Sequence, residues 1–318
     1  METTSGILVH YYLDLDNHLI DAQLRNKCEV ELLALYQEAA KVFDVDFVIL
    51  AMPSQEGGYK EVWQFLDKNN KPITSVSAIA IVLGFFLSTL PSQSDRLTQQ
   101  LTRLQIEEKQ LQIKKLKKEL HETGGQPSHD FIEEAVSVLR GNNKTITRRS
   151  NFYKSLTFNQ DVKGLGIGNV NYGGGLIDGE RPISRKDFPR FVLQTNKLPP
   201  IVDENALIEI IAPVLDEGPY KWRGLYQGTP IIFSMTDDIF KASVMAETVS
   251  FKHGTKIQCV LVVYRRLDET GEENITGHSV TVVLSVGDGV NFDETSQGHE
   301  YKQLSEEQKA QGEMFDFD

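Results

Sequence analysis

The chain has 318 residues, of which 40% are hydrophobic and 25% charged, and it contains 24 glycines. These values are close to globular averages, so they exclude wholesale disorder, and the length predicts two or three domains. The net charge of −12 belongs wholly to residues 201–318, which hold 9 Lys and Arg against 21 Asp and Glu, whereas residues 140–200 hold 11 basic against 4 acidic side chains. A basic centre therefore precedes an acidic end.

The two cysteines, Cys28 and Cys259, each lie among apolar residues with no second ligand at metal-binding spacing. This pattern suits buried free thiols in a reducing compartment. The first residues lack the basic and apolar pattern of a secretory signal. We expect a cytoplasmic protein without a metal or cofactor, with inner-membrane association as the alternative.

Residues 1–72 predict a small α/β module. Residues 7–13 are aromatic and β-branched, as in a strand. Between residues 20 and 43, apolar side chains recur at the three-and-four spacing of an amphipathic helix, and residues 45–52 predict a second strand that ends at Pro53.

Residues 73–91 predict an apolar helix, because residues 73–90 contain no charge and lie between Pro72 and Pro91. The length is at the lower limit for crossing about 30 Å of hydrocarbon. A helix without a polar side needs every face covered, and the N-terminal module looks too small to do this. Two alternatives stay open: insertion into a membrane, or packing of several copies in a bundle with close approach at Gly84.

Residues 92–123 predict a long coiled-coil helix, since no Gly or Pro occurs from 96 to 122 and Leu, Gln, Glu and Lys are frequent. The apolar seam drifts, which favours a short oligomeric bundle over an ideal two-stranded coil. We therefore expect a homo-oligomer. The predicted oligomerisation residues are Leu97, Leu101, Leu104, Leu111, Ile113, Leu116 and Leu120.

Residues 124–127 predict a linker, followed by an irregular basic α/β segment over 128–200. Residues 147–154 combine guanidinium, hydroxyl and aromatic groups, which are the groups that hold phosphates and bases. The candidate phosphate or nucleic-acid contacts are Arg148, Arg149, Tyr153 and Lys154. The alternative, which we favour, is that Arg148 and Arg149 dock on the acidic barrel while Phe152 and Tyr153 fill the core. Gly164, Gly166 and Gly168 predict a flexible hairpin or surface loop.

Residues 201–292 predict a β-barrel-like domain of the OB or SH3 type, because about five strand-like runs are separated by turns and one short helix. Residues 293–318 predict an acidic disordered tail. Its aromatic residues Phe315 and Phe317 lie among acids and are candidates for docking into a pocket of a partner protein, with a plain solvating tail as the alternative.

The order of parts in the first 90 residues, with Glu56-Gly57-Gly58-Tyr59 and Trp63 before the apolar run, resembles small α/β modules fused to membrane segments in bacterial anti-phage systems. The resemblance implies an adaptor or membrane-effector role rather than catalysis, and no site residues carry over from it. The rest of the chain resembles uncharacterised bacterial proteins.

Together these features predict an α+β multidomain fold with an N-terminal α/β module, an apolar helix, a long coiled-coil helix and a C-terminal barrel. No catalytic grouping stands out. We expect a non-enzymatic oligomeric interaction or effector protein, possible partners being a membrane and a protein that binds the tail. The alternative is a nucleic-acid-binding protein that uses the basic residues 140–163.

Overall fold

A computed structural model describes residues 4–13, 19–52, 59–71, 74–91, 111–112, 114–116, 118–119, 127–216, 218 and 220–315. The chain divides into two compact units. The N-terminal unit comprises Met1–Asn196 with Leu267–Glu272, and the C-terminal unit comprises Lys197–Arg266 with Glu273–Asp318.

The N-terminal unit contains a five-stranded sheet. Its strands are β1 (Gly6–Leu13), β2 (Val48–Ala51), β3 (Tyr59–Leu66), β4 (Val162–Val170) and β5 (Leu176–Ser184). They lie in the order β2-β3-β1-β4-β5, and all neighbours are antiparallel. Strands β4 and β5 come from well beyond the predicted N-terminal module, and β4 lies directly beside β1.

The described helices of this unit with full bounds are α1 (Ala22–Phe43), α2 (Thr74–Ser88), α3 (His129–Arg140), α4 (Asn143–Phe158) and the single turn α5 (Phe188–Phe191), which follows a 3-10 turn at Arg185–Asp187. Three of them begin where a polar side chain accepts a free N–H group of the first turn. Asp21, Ser128 and Asn142 accept such bonds at the starts of α1, α3 and α4.

Helix α2 is the apolar segment, and it lies in the core of the N-terminal unit. It contacts β1, β3, β4 and β5 as well as α1 and α3, and its side chains from Val76 to Leu87 are mostly buried. The prediction of a separate long apolar helix that needs lipid or further copies is therefore wrong. Residues 128–191 supply the missing cover, because they fold back onto the module that looked too small. No helix within the described ranges has the length and apolar character needed to cross a membrane.

The predicted long coiled-coil helix over residues 92–123 is also wrong for the part of it that the structure describes. The described helical residues fall between 111 and 119. Leu116 is fully buried in the apolar core of the N-terminal unit rather than on an oligomer seam, whereas Leu111 is 66% exposed. The remaining predicted seam residues lie outside the described residues; they are Leu97, Leu101, Leu104, Ile113 and Leu120.

Strand β4 contains the glycine motif that predicted a loop. Gly164, Gly166 and Gly168 are all buried in this strand, which pairs with β1 on one side and β5 on the other. A Cβ atom at Gly166 would collide with the side chains of Tyr12 and Glu180. The glycines therefore let neighbouring side chains lie across the strand.

The C-terminal unit is a closed barrel, as predicted for residues 201–292. The strand order is β6-β7-β8-β10-β9, and pairing of β9 with β6 closes the ring. Strands β8 and β10 are parallel, and a short helix connects β8 to β9, in a Greek-key barrel of the kind that includes the OB fold. The elements are β6 (Lys197–Ala212), β7 (Trp222–Tyr226), β8 (Thr229–Met235), α6 (Asp238–Met245), β9 (Lys256–Leu267) and β10 (Glu273–Gly287).

The segment predicted as a disordered tail is ordered over most of its length. Strand β11 (Phe292–Glu294) pairs with the end of β10, and helix α7 (Ser296–Phe315) follows it. Helix α7 contacts β10, where a Cβ atom at Gly298 would lie 2.7 Å from the Cα of Leu284. The absence of a side chain at this position permits the close packing.

Candidate functional site

The outer side of β6, β7 and β8 carries mainly aliphatic side chains. In the strand register, Glu209 lies opposite Leu225, which lies opposite Pro230, and in the next outward row Arg223 lies opposite Ile232. Directly opposed side chains of an antiparallel pair lie close enough to form one surface. We call this surface the barrel wall. Its outward side chains are Leu207, Glu209, Ile211, Arg223, Leu225, Pro230 and Ile232.

Three aliphatic side chains of the barrel wall are exposed to about half of their possible area: Leu207 by 46%, Ile211 by 56% and Ile232 by 53%. The alternate positions of β7 and β8 point inward, where Trp222 and Phe233 are buried. Because the inward side chains already form the core, the outward aliphatic groups are surplus to the folding of the barrel. Exposed aliphatic side chains gathered on adjacent strands are typical of an interaction site.

Two local features shape the barrel wall. The register between β6 and β7 shifts between Ile210 and Ala212, so the extra residue, Ile211, is pushed outward at a bulge. Opposite the bulge, a Cβ atom at Gly224 would lie 2.5 Å from a methyl carbon of Ile208 and 2.8 Å from the backbone oxygen of Glu209. Only glycine allows β6 and β7 to approach this closely.

The barrel wall has two charges of opposite sign. Glu209 lies 3.9 Å from the Lys256 ammonium, at the outer limit of an ion pair, and its side chain is 36% exposed. Arg223 is exposed and has no hydrogen bond or ion pair with any described residue. The wall therefore presents a free guanidinium group and a weakly paired carboxylate among aliphatic side chains.

A buried carboxylate, that of Asp237, connects several elements of the C-terminal unit. Asp237 is 4% exposed and accepts the N–H groups of Phe240 and Val283, each at 2.8 Å, and the amide of Gln297 at 3.1 Å. One carboxylate thereby joins α6, β10 and α7, so its role is structural.

The candidate phosphate contacts predicted on α4 lie mostly inside the N-terminal unit. Arg149 is 3% exposed and donates to the carbonyl oxygen of Phe86 at 3.0 Å, and Tyr153 is fully buried and donates to that of Leu87 at 2.6 Å. Arg148 forms an ion pair of 3.2 Å with Glu31. Of the four candidates, only Lys154 is exposed. Phe152 and Tyr153 fill the core as expected. The expected docking of the two arginines on the barrel is wrong, because Arg148 pairs with Glu31 of α1 and Arg149 is buried at the end of α2.

The carbonyl groups that Arg149 and Tyr153 reach belong to the C-terminal end of α2, which carries no basic residue of its own in the last turn. Two further arginines reach the same end: Arg181 donates to the Ser88 hydroxyl at 3.0 Å, and Arg140 donates to the carbonyl oxygen of Leu90. A helix C-terminus has free carbonyl groups and partial negative charge. Much of the basic charge of residues 140–200 is therefore used inside the fold.

A smaller part of the basic segment is accessible. Phe158 at the end of α4 is 77% exposed, and Lys154 lies four residues earlier on the same face of the helix. Lys163 at the start of β4 is also exposed. The exposed side chains of Lys154 and Phe158, rather than those of Arg148, Arg149 and Tyr153, are therefore accessible on α4. At the C-terminus, Phe315 ends α7, while Phe317 lies outside the described residues.

A polar cluster lies on the side of the N-terminal sheet away from its helices. Glu180 accepts the Tyr12 hydroxyl at 2.7 Å and lies 3.0 Å from Nδ1 of His10. Burial, followed by the hydrogen bond to Glu180, raises the pKa of Tyr12 well above its ordinary value. The cluster depends on Gly166, where a side chain would displace it.

A second polar cluster lies between α1 and the sheet. Glu61 is 8% exposed and accepts from Arg25 at 2.9 Å and from the Tyr11 hydroxyl at 3.3 Å. Burial raises the pKa of Glu61, and the nearby Arg25 opposes this rise. The Arg25 side chain is 43% exposed, so the ion pair joins a buried carboxylate to a partly exposed guanidinium group.

Our sequence-based predictions missed the barrel wall. The signal was present in residues 207–211, where Leu207, Ile208, Ile210 and Ile211 make both faces of a strand apolar. A strand with one face in water is expected to alternate, so apolar residues on both faces indicate a second contact.

No group of three or more His, Cys, Asp or Glu side chains suited to holding a metal ion occurs within the described ranges. No protein-family model, curated protein or solved structure matches the chain.

Proposed function

We propose that this chain is a protein-binding protein and that the barrel wall is its contact surface. The observation that carries the proposal is the set of half-exposed aliphatic side chains on adjacent strands, Leu207, Ile211 and Ile232. Moving a fully exposed aliphatic side chain into an apolar contact contributes about 1.5–3 kcal/mol, so burying the exposed half of one such side chain contributes about half as much. Several such aliphatic side chains together with the arginine Arg223 have the composition of a protein contact surface, which typically combines apolar side chains with arginine.

The chemistry of the barrel wall favours protein over nucleic acid as the partner. Single-stranded nucleic acid binds to exposed aromatic rings and to an excess of positive charge. All seven outward side chains of the wall are non-aromatic, and residues 197–266 hold 8 basic against 8 acidic side chains. Aliphatic groups with balanced charge match an apolar protein surface instead.

An adaptor or effector role fits a protein that works by binding. The resemblance of the first 90 residues to modules of bacterial anti-phage systems implies such a role, and we include it in the proposal. In that case the N-terminal unit and the barrel would each supply a separate contact.

A photo-reactive amino acid at position 232 tests the proposal in cells that express the gene natively. The matched control carries the same amino acid at position 300, since Glu300 is exposed on α7, the helix that contacts β10. We expect protein adducts from position 232 and none from position 300. Adducts to nucleic acid, or equal yields from both positions, would contradict the proposal.

A second candidate function is nucleic-acid binding by the exposed end of α4. The observation that favours it is Phe158, an aromatic side chain that is 77% exposed with Lys154 one turn away. An aromatic ring for stacking beside a lysine for phosphate is a common arrangement in proteins that bind single strands. Loss of binding on replacement of both residues would support this function.

A further inference from the structure

We propose that the barrel wall binds a second copy of itself about a two-fold axis. The inference deepens the proposed function by naming the partner, and it rests on that function. It comes from the arrangement of the two wall charges relative to the aliphatic side chains around them.

The two wall charges are diagonal neighbours. Glu209 lies opposite Leu225, and Arg223 precedes Leu225 by two residues on β7. Diagonal neighbours of this kind lie roughly 7–8 Å apart. Within one barrel the Arg223 guanidinium has no partner among the described residues, and the Glu209 carboxylate has only the 3.9 Å contact with Lys256. Each of the two charges is therefore available to a partner.

A two-fold axis places each charge against its opposite. In such an interface, if residue i of one copy contacts residue j of the other, then j also contacts i. We place the axis in the plane of the wall, perpendicular to the line from Glu209 to Arg223 and through its midpoint. Each Arg223 then faces Glu209 of the second copy. Two ion pairs form between Arg223 and Glu209, and neither residue faces its own counterpart in the second copy.

The same axis also matches the aliphatic side chains. Neighbouring strands lie roughly 4.8 Å apart and two residues span roughly 6.6 Å along a strand, which sets the position of each outward side chain on the wall. A two-fold rotation of these positions about the axis brings Ile232 close to Leu207 of the second copy. Leu225 then lies near Leu225 of the second copy, close to the axis. The same two-fold arrangement therefore buries the exposed aliphatic groups and pairs the wall charges.

Charge exchange tests the interface in the full chain. We expect the wild type to be a dimer at micromolar concentration by light scattering coupled to size exclusion. Arg223→Glu and Glu209→Arg should each weaken the association roughly tenfold or more, because like charges would meet at both pairs. The double variant Arg223→Glu with Glu209→Arg should restore the dimer. Both positions are outward, and circular dichroism of each variant checks that the barrel is folded.

A monomeric wild type, or a double variant no better than the single ones, would overturn the two-fold interface. The photo-reactive amino acid at position 232 separates this failure from failure of the proposed function. An adduct with a different protein and no self-adduct would overturn self-association and leave the protein-binding function in place. The absence of any protein adduct would remove both.

Discussion

The guanidinium carbon of Arg149 lies 4.1 Å from the centre of the Phe86 ring, and the same side chain donates to the Phe86 carbonyl oxygen at 3.0 Å. One arginine thus stacks on the aromatic ring and occupies a free carbonyl at the end of α2. A charged group is rarely this deeply buried unless it is paired. Here the negative end of a helix and the face of an aromatic ring provide the compensation.

Replacing Arg149 with Met should destabilise the N-terminal unit by about 1–3 kcal/mol, because the Phe86 carbonyl loses its donor while the volume of the side chain is largely kept. Urea denaturation followed by circular dichroism measures the change. The matched control is Lys154→Met on the same helix, since Lys154 is exposed and should shift stability by less than about 0.5 kcal/mol. Equal stability of both variants would show that the Arg149 contacts are unimportant.

Replacing Gly224 with Ala should destabilise the barrel by about 1–3 kcal/mol, because the new methyl group meets the backbone of β6, which cannot move without disturbing the sheet. The control is Gly277→Ala in β10, where nothing lies within 4 Å of an added Cβ atom. Thermal unfolding of the two variants provides the comparison. If Gly224→Ala were as stable as Gly277→Ala, the close approach of β6 and β7 would not need glycine.

Glu61 should make stability depend on pH. Burial raises its pKa in the folded state above the ordinary value of 4.5, so the folded protein holds a proton that the unfolded chain has lost. The free energy of unfolding therefore falls as pH rises from 4.5 through the folded-state pKa of Glu61. Below pH 4.5 the carboxyl group is protonated in both states, so Glu61 does not lower the free energy of unfolding there. Glu61→Gln cannot lose a proton, so it should gain stability relative to wild type over this interval.

Denaturant midpoints of wild type and Glu61→Gln, taken from acidic to neutral pH, measure this effect. Their difference should grow with pH and then become constant. Glu306→Gln, at an exposed position of α7, is measured over the same pH range as the control for loss of a glutamate charge. A difference for Glu61→Gln that does not change with pH would mean that Arg25 fully compensates the burial of the carboxylate.

The second candidate function predicts that binding of single-stranded nucleic acid depends on the end of α4. Lys154→Ala with Phe158→Ala should weaken binding for all sequences alike, since neither side chain reads base edges. Arg148→Ala should have little effect, because Arg148 already pairs with Glu31. Mobility-shift titrations at low and moderate salt test both variants. No shift for the wild type at low salt would remove this second candidate function.

The candidate site could be predicted from the sequence only in part. The two-residue alternation of Trp222, Gly224 and Tyr226 with Arg223 and Leu225 indicates a strand, but it does not say which neighbours lie beside it. The surface formed by Glu209, Leu225 and Pro230 depends on register, which long-range pairing decides. A sequence also does not distinguish an arginine that holds a helix end from one that holds a phosphate, and Arg149 is an example.

The sequence by itself determined the local elements: the periodicity of α1, the charge-free run that becomes α2, and the turn-separated strands of the barrel. These depend on side-chain spacing and on residues that start or stop an element, which act over a few positions. The tertiary structure alone decided what covers α2. Residues 128–191 do so by adding β4 beside β1 and by placing Arg149 and Tyr153 at the end of α2. Such contacts join residues more than 60 positions apart, and a local pattern carries no record of them.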